Sequence, residues 1–294
     1  MWRHLRHPNI LPLLGANLEG HQLALFSEWM DHGNINEFVE GHKGINRVQL
    51  VSDEIPSCGN RFSQSIQLVD AANGLGYMHG LDMVHGDLKG VRFYCQPNIR
   101  PLNNTQANIL INKSFRACLA DFGLATIAGA ERGAAANASS TSVASEVSLM
   151  SFTTGGTTRW MSPELLDPDQ FGITDSRPTK QSDCYALGMV VYEVRWGCDL
   201  SHPHNGLTYM RQVLCGHAPY SDIMNGGAVI KAIMDGRRPQ KPEAAATLGF
   251  TDELWGIIRR CWSADADARP DVRTVLSHLD HATWSWETRQ LVPV

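Results

Sequence analysis

His85-Gly86-Asp87-Leu88-Lys89, followed by Ala107-Asn108-Ile109-Leu110 and then Asp121-Phe122-Gly123, is the stretch on which the fold of this 294-residue chain turns. These strings supply a carboxylate that can accept a proton (Asp87), a cation (Lys89), an amide oxygen (Asn108) and a second carboxylate (Asp121). Carboxylate and amide oxygens are the hard ligands that magnesium takes, and an ammonium group pairs with phosphate oxygens. Each residue alone also fits a solvated loop or a tight turn. The ordered set carries the argument.

Further motifs follow in order. Gly156-Thr157-Thr158-Arg159-Trp160-Met161-Ser162-Pro163-Glu164 comes first, then Asp183-Cys184-Tyr185-Ala186-Leu187-Gly188, then Cys261-Trp262 and Ala268-Arg269-Pro270. In this sequence the strings resemble the catalytic loop, metal-binding segment, activation-segment end and late helices of a protein kinase. The resemblance covers roughly Trp2 to Leu279. It implies an α+β, two-lobed protein kinase-like fold forming a single domain over 1–294. Residues 1–29 would be a remnant of the β-rich small lobe, 30–283 a nearly complete helical large lobe, and 284–294 a tail.

The resemblance also implies roles. Asp87 would orient the substrate hydroxyl and accept its proton, Lys89 would steady the γ-phosphate, and Thr157 would bond both of them. Asn108 and Asp121 would hold Mg2+, with Phe122 and Gly123 completing that segment and His85 packed beneath it. Glu164 would pair with Arg269, and Asp183 would start the buried helix that anchors the catalytic loop. Ser27 would stand at the gatekeeper position, and the backbones of Glu28 and Met30 would meet the adenine of ATP. Lys89 and Thr157 resemble the serine/threonine pattern, within the tyrosine-kinase-like group. The implied activity is ATP-dependent phosphorylation of Ser/Thr hydroxyls on protein substrates. The alternative is a pseudokinase, or an inactive kinase-like chain serving as a binding module.

Bulk properties narrow the setting. At 43% hydrophobic residues the chain can bury a sizeable core, and no apolar run approaches the roughly 18 residues of a membrane span. No signal-peptide pattern opens it. Seven cysteines show no Cys-x-x-Cys spacing, which speaks against a zinc site or a disulfide framework. A net charge of -5 provides no general basic field for nucleic acid. An intracellular, cytoplasmic protein without a membrane span follows as the expectation.

Apolar spacing at Leu68, Val69, Ala72, Leu75 and Met78 predicts a helix over Leu68–His79. Leu23–Trp29, Ile109–Ile111 and Cys118–Ala120 read as strands. Met30-Asp31-His32-Gly33-Asn34 reads as a hinge. Gly129–Ser148, rich in Ala, Ser and Gly, offers little burial to offset its ordering entropy and reads as mobile.

Three departures from the kinase pattern stand out. No glycine-rich loop, strand lysine or helix glutamate precedes Trp2, so Met1 is expected to be an internal methionine of a longer protein. The 294 residues by themselves, with a floor and hinge but no roof to the ATP site, are expected to be inert. Gly86 replaces the arginine of His-Arg-Asp, which argues against control through a phosphorylated activation loop. Finally, the pattern places the metal-binding Asn five positions after the catalytic Asp, whereas Asn108 lies 21 after Asp87.

Removing Val91–Gln106 restores the spacing of five. Removing Val51–Gln67 joins Leu50 to Leu68 in a continuous helical pattern, and removing Val194–Gln212 joins Glu193 to Val213. Each block begins with Val, whose codons begin GT, and ends with Gln, one of whose codons ends AG. Those are the bounding dinucleotides of an intron. At about fifty nucleotides each, the blocks have the length of short fungal introns and are expected to be retained introns; genuine family-specific loops are the alternative.

Overall fold

The computed structural model describes residues 2–19, 22–35, 64–90, 108–114, 116–128, 157–174, 176–196, 218–241 and 251–290. A 3-10 turn at Trp2–His4 leads to β1 (Leu13–Glu19) and β2 (Gln22–Ser27), which pair antiparallel with an irregularity between Leu13 and Gly15. β2 ends two residues earlier than its apolar pattern predicts, and Glu28 and Trp29 lie outside it. On this two-stranded sheet Leu14, Leu18, Leu25 and Phe26 are exposed, and Trp29, just beyond β2, is 82% exposed.

α1 (Gln64–Gly80) contains the predicted Leu68–His79 helix and begins four residues before it. Leu68, Ala71, Ala72, Leu75 and Met78 recur at helical spacing and are fully buried. β3 (Met83–Val84) then precedes the catalytic-loop string. β4 (Ile109–Ile111) and β5 (Ala117–Leu119) form an antiparallel pair, and β6 (Thr126–Ile127) pairs with β3. β5 sits one residue earlier than its predicted Cys118–Ala120. The short helix α2 (Pro163–Leu166) is followed by α3 (Lys180–Trp196), α4 (Gly226–Met234), α5 (Asp252–Cys261) and α6 (Val272–Gln290).

α1 lies along α6 and against β5, while α3 packs on α5 and α5 on α6. One continuous core results, running from Leu68, Leu75, Ile109 and Leu119 to Trp160, Tyr185, Val190, Ile258, Trp262 and Leu279. Among the described residues no helix is long and apolar enough to cross a membrane. Cys118, Cys184 and Cys261 are free and buried; burial pushes the Cys118 thiol up to about 11 and that of Cys261 to about 12. The Gly129–Ser148 stretch and the Val91–Gln106 block lie outside the described residues, as do most of the Val51–Gln67 and Val194–Gln212 blocks.

Buried polar contacts tie these elements together. Asp70 on α1, fully buried, accepts from Arg116 Nε at 2.8 Å and from the Ala117 backbone N–H at 3.0 Å, fixing β5 to the helix. Glu164 on α2 receives both guanidinium nitrogens of Arg269, Nη1 at 2.7 Å and Nη2 at 2.6 Å. Ser162, standing where the kinase pattern has alanine, donates its hydroxyl to Glu164 Oε1 at 2.7 Å. Both members of the ion pair are nearly solvent-free, so losing one strands a buried charge. Arg269→Ala is expected to lower stability by about 3–5 kcal/mol. Ser162→Ala, which leaves the pair intact, is expected to cost about 1.5 kcal/mol; denaturant titration of the two variants checks the difference.

Candidate active site

The site is built on residues 85–90, which follow β3, and on Asn108, which precedes β4, and the backbone of the first segment is held from below. Asp183, near the start of α3 and 1% exposed, accepts from the His85 N–H at 2.8 Å and the Gly86 N–H at 2.9 Å. A third contact comes from His79 Nε2 at 2.9 Å, at the end of α1. An isolated carboxylate in the interior is costly unless it is fully bonded. Here the bonds that satisfy it also fix the loop's direction. His79 was not singled out by the sequence, where its only signal is a polar residue at the end of a buried helical face.

His85 is fully buried. Its Nδ1 accepts the Asp87 N–H at 3.3 Å and its Nε2 lies 3.1 Å from the Ala120 carbonyl, which places the ring proton on Nε2. The ring meets Phe122 at 5.5 Å between centroids, and Phe122 meets Trp2 at 5.3 Å. His85 therefore packs against the residues on which the Asp121-Phe122-Gly123 segment is carried, Ala120 and Phe122.

Above this platform the polar groups converge. Lys89 Nζ donates to Asp87 Oδ2 at 2.7 Å and to Thr157 Oγ1 at 3.3 Å. Asn108 Nδ2 donates to the Asp87 carbonyl at 2.5 Å and to Asp87 Oδ2 at 3.0 Å. Thr157 reaches Lys89 but makes no bond to Asp87, a correction to the expectation that it holds both; Lys89 occupies the space between them. Two oxygens in the cluster, Asp87 Oδ1 and Asn108 Oδ1, are buried and have no hydrogen-bond partner among the described residues. Buried polar atoms are rarely left so. An acceptor on Asp87 and a hard oxygen on Asn108 match a hydroxyl proton and a magnesium ion respectively.

Asp121 stands at the same end of the β4–β5 pair, because the Ala120 N–H donates to the Asn108 carbonyl at 2.9 Å. Its carboxylate is exposed and its backbone is left-handed, φ 59°, with Oδ1 accepting the Gly123 N–H at 3.4 Å. Aspartate is one of the few side chains that tolerates this region. Of the hinge residues, Met30 packs with Leu11 and Ala120, next to Asp121. Glu28 is exposed, and Met30 is buried with its carbonyl accepting the Gly33 N–H at 3.1 Å.

The protein kinase domain family model matches residues 1–279. This chain belongs to the protein kinase family. Its similar proteins include Serine/threonine-protein kinase STY17 of Arabidopsis thaliana, 24% identical over 278 residues, covering 95% of this chain and 35% of that protein. Receptor-interacting serine/threonine-protein kinase 1 of Homo sapiens is 24% identical over 270 residues, covering 92% of this chain and 31% of that protein. Serine/threonine-protein kinase CTR1 of Arabidopsis thaliana is 26% identical over 279 residues, 94% of this chain and 25% of that protein. The chain thus spans between a quarter and about a third of the length of these relatives, each of which is named a serine/threonine kinase. The family carries the two-lobed kinase fold.

Within this kinase domain, Gly86 has a physical reason of its own. Its φ is +80°, and a Cβ there would come within 3.0 Å of the Leu124 carbonyl and 3.1 Å of Pro178 Cγ. Pro178 thus crowds the place from which an arginine side chain would leave. Gly86→Arg, although it restores the usual kinase residue, is expected to destabilise the fold by about 1–2 kcal/mol from the left-handed backbone alone. Thermal unfolding checks this; a variant as stable as the parent would overturn the claim that the left-handed backbone at this position requires glycine.

Proposed function

We propose that this kinase domain transfers the γ-phosphate of ATP to Ser or Thr hydroxyls of protein substrates. The observation that carries the reading is the pair of partnerless buried oxygens, Asp87 Oδ1 and Asn108 Oδ1, in a cluster whose other polar groups are bonded to one another. Phosphoryl transfer asks a protein mainly for positioning and charge neutralisation, and the cluster supports both.

In this reading Asp87 Oδ1 accepts the proton of the substrate hydroxyl as its oxygen bonds to the γ-phosphorus and the bond to the departing ADP breaks. Asp87 Oδ2 stays bonded to Lys89 and Asn108, so the free oxygen keeps a fixed direction. Lys89, pinned by Asp87 and Thr157, presents its positive charge to the γ-phosphate. Asn108 Oδ1 and the Asp121 carboxylate would hold Mg2+, which when bound neutralises charge on the phosphates. The main chains of Glu28 and Met30, beside Ser27, would receive adenine. His85, Phe122 and Gly123 support the metal-binding segment, and Asp183 holds the loop in place. Serine and threonine as acceptors are supported by the serine/threonine kinases among its relatives.

The test is phosphotransfer from labelled ATP by the product of the whole gene, followed by identification of the modified residues. Asp87→Asn is expected to lower turnover by about 10²–10⁴-fold, and label is expected on Ser and Thr. Undiminished turnover in Asp87→Asn defeats the assignment of the base. A folded wild-type protein that binds Mg-ATP and never turns it over is the signature of a binding module instead.

A further inference from the structure

The catalytic loop closes across a gap in the sequence. Asp87 and Asn108 are 21 positions apart, yet the Asn108 side chain bonds both the main-chain carbonyl and the carboxylate of Asp87. The catalytic-loop pattern allots five positions to that step. On the near side of the gap, Gly90 is buried so tightly that a Cβ would fall 1.8 Å from Glu193 Oε2. Both flanks of Val91–Gln106 are therefore fixed within the core.

The block Val194–Gln212 shows the same relation. Glu193, which precedes it, accepts Trp160 Nε1 at 3.0 Å. Pro219, soon after it, accepts Arg159 Nη1 at 2.9 Å, and Ile223 accepts Nη2 at 2.7 Å. Two consecutive residues, Arg159 and Trp160, hold the chain on either side of the block.

For Val51–Gln67 the register of α1 is informative. Its buried positions 68, 71, 72, 75 and 78 extend backward, at helical spacing, to 64 in the middle of the face and to 65 and 67 at its edges, where the chain carries Gln, Ser and Gln. Joining Leu50 to Leu68 puts Arg47 at the middle position and the apolar Val48 and Leu50 at the two edges. Each block also begins with Val and ends with Gln, codons compatible with GT and AG intron ends.

We propose that residues 51–67, 91–106 and 194–212 are intron sequence carried into the reading frame. The functioning protein joins Leu50 to Leu68, Gly90 to Ala107 and Glu193 to Val213. The fold closes through contacts that lie outside the blocks, and the helices α1 and α3 take their first and last turns from residues 47–50 and 213–215 instead.

Sequencing the gene's transcripts tests this directly. Mature messages lacking all three blocks are expected, along with a tryptic peptide in which Gly90 runs straight into Ala107–Lys113. A mature message or native protein retaining a block overturns the proposal for that block. As a second measurement, the chain is produced with and without the blocks. The shortened form is expected to melt cooperatively and at least about 4 °C higher, and a lower melting temperature overturns the claim that the fold closes without them. If the shortened protein folds but transfers no phosphate, the proposed function fails and the splice junctions stand.

Discussion

A single buried carboxylate sets the position of nearly everything else in the candidate active site. Asp183 sits near the start of α3 with almost no solvent contact and accepts from two successive backbone amides of the catalytic loop and from His79. A charge there without those donors would be strongly destabilising, so the loop must present His85 and Gly86 to it. That requirement fixes the backbone leading to Asp87. From Asp87 the chain of bonds runs on to Lys89, Thr157 and Asn108, and from His85 to Phe122 and Trp2.

A second anchoring layer lies around it. The Glu164–Arg269 pair holds the end of the activation segment to the late helices, and the Arg269 guanidinium also lies 5.2 Å from the centre of the Tyr185 ring. Arg159 and Trp160 extend this layer to α3 and to the turn before α4. The site is held by polar groups that have been taken out of water, each satisfied by a partner distant in sequence. Such contacts cost much when broken and constrain geometry when whole.

Motif residues whose chemistry is specific were legible in the sequence. Glu164 and Arg269, 105 positions apart, could be paired before any coordinates, and His85 could be set beneath Phe122. The α1 helix followed from apolar spacing, because its buried face is unbroken from Leu68 to Met78. Other features depend on three-dimensional crowding that no short string encodes. Gly86 read as a lost arginine, whereas its positive φ and the nearness of Pro178 show a position that suits glycine. The Ser162 hydroxyl bonds Glu164, a contact that the string Ser162-Pro163-Glu164 does not announce. Asp70 lay unnoticed on the buried side of α1, since an acid among apolar neighbours signals a partner without saying that it is Arg116. Thr157 reached only one of its two expected partners, because Lys89 lies between.

The hairpin of β1 and β2 has a practical meaning. Among the described residues, Leu18 and Leu25 leave oily surface facing water on one face of the two-stranded sheet and Phe26 on the other, surface that costs free energy while it is wet. Molecules carrying it bare gain free energy by sticking together, and the gain grows as they are concentrated.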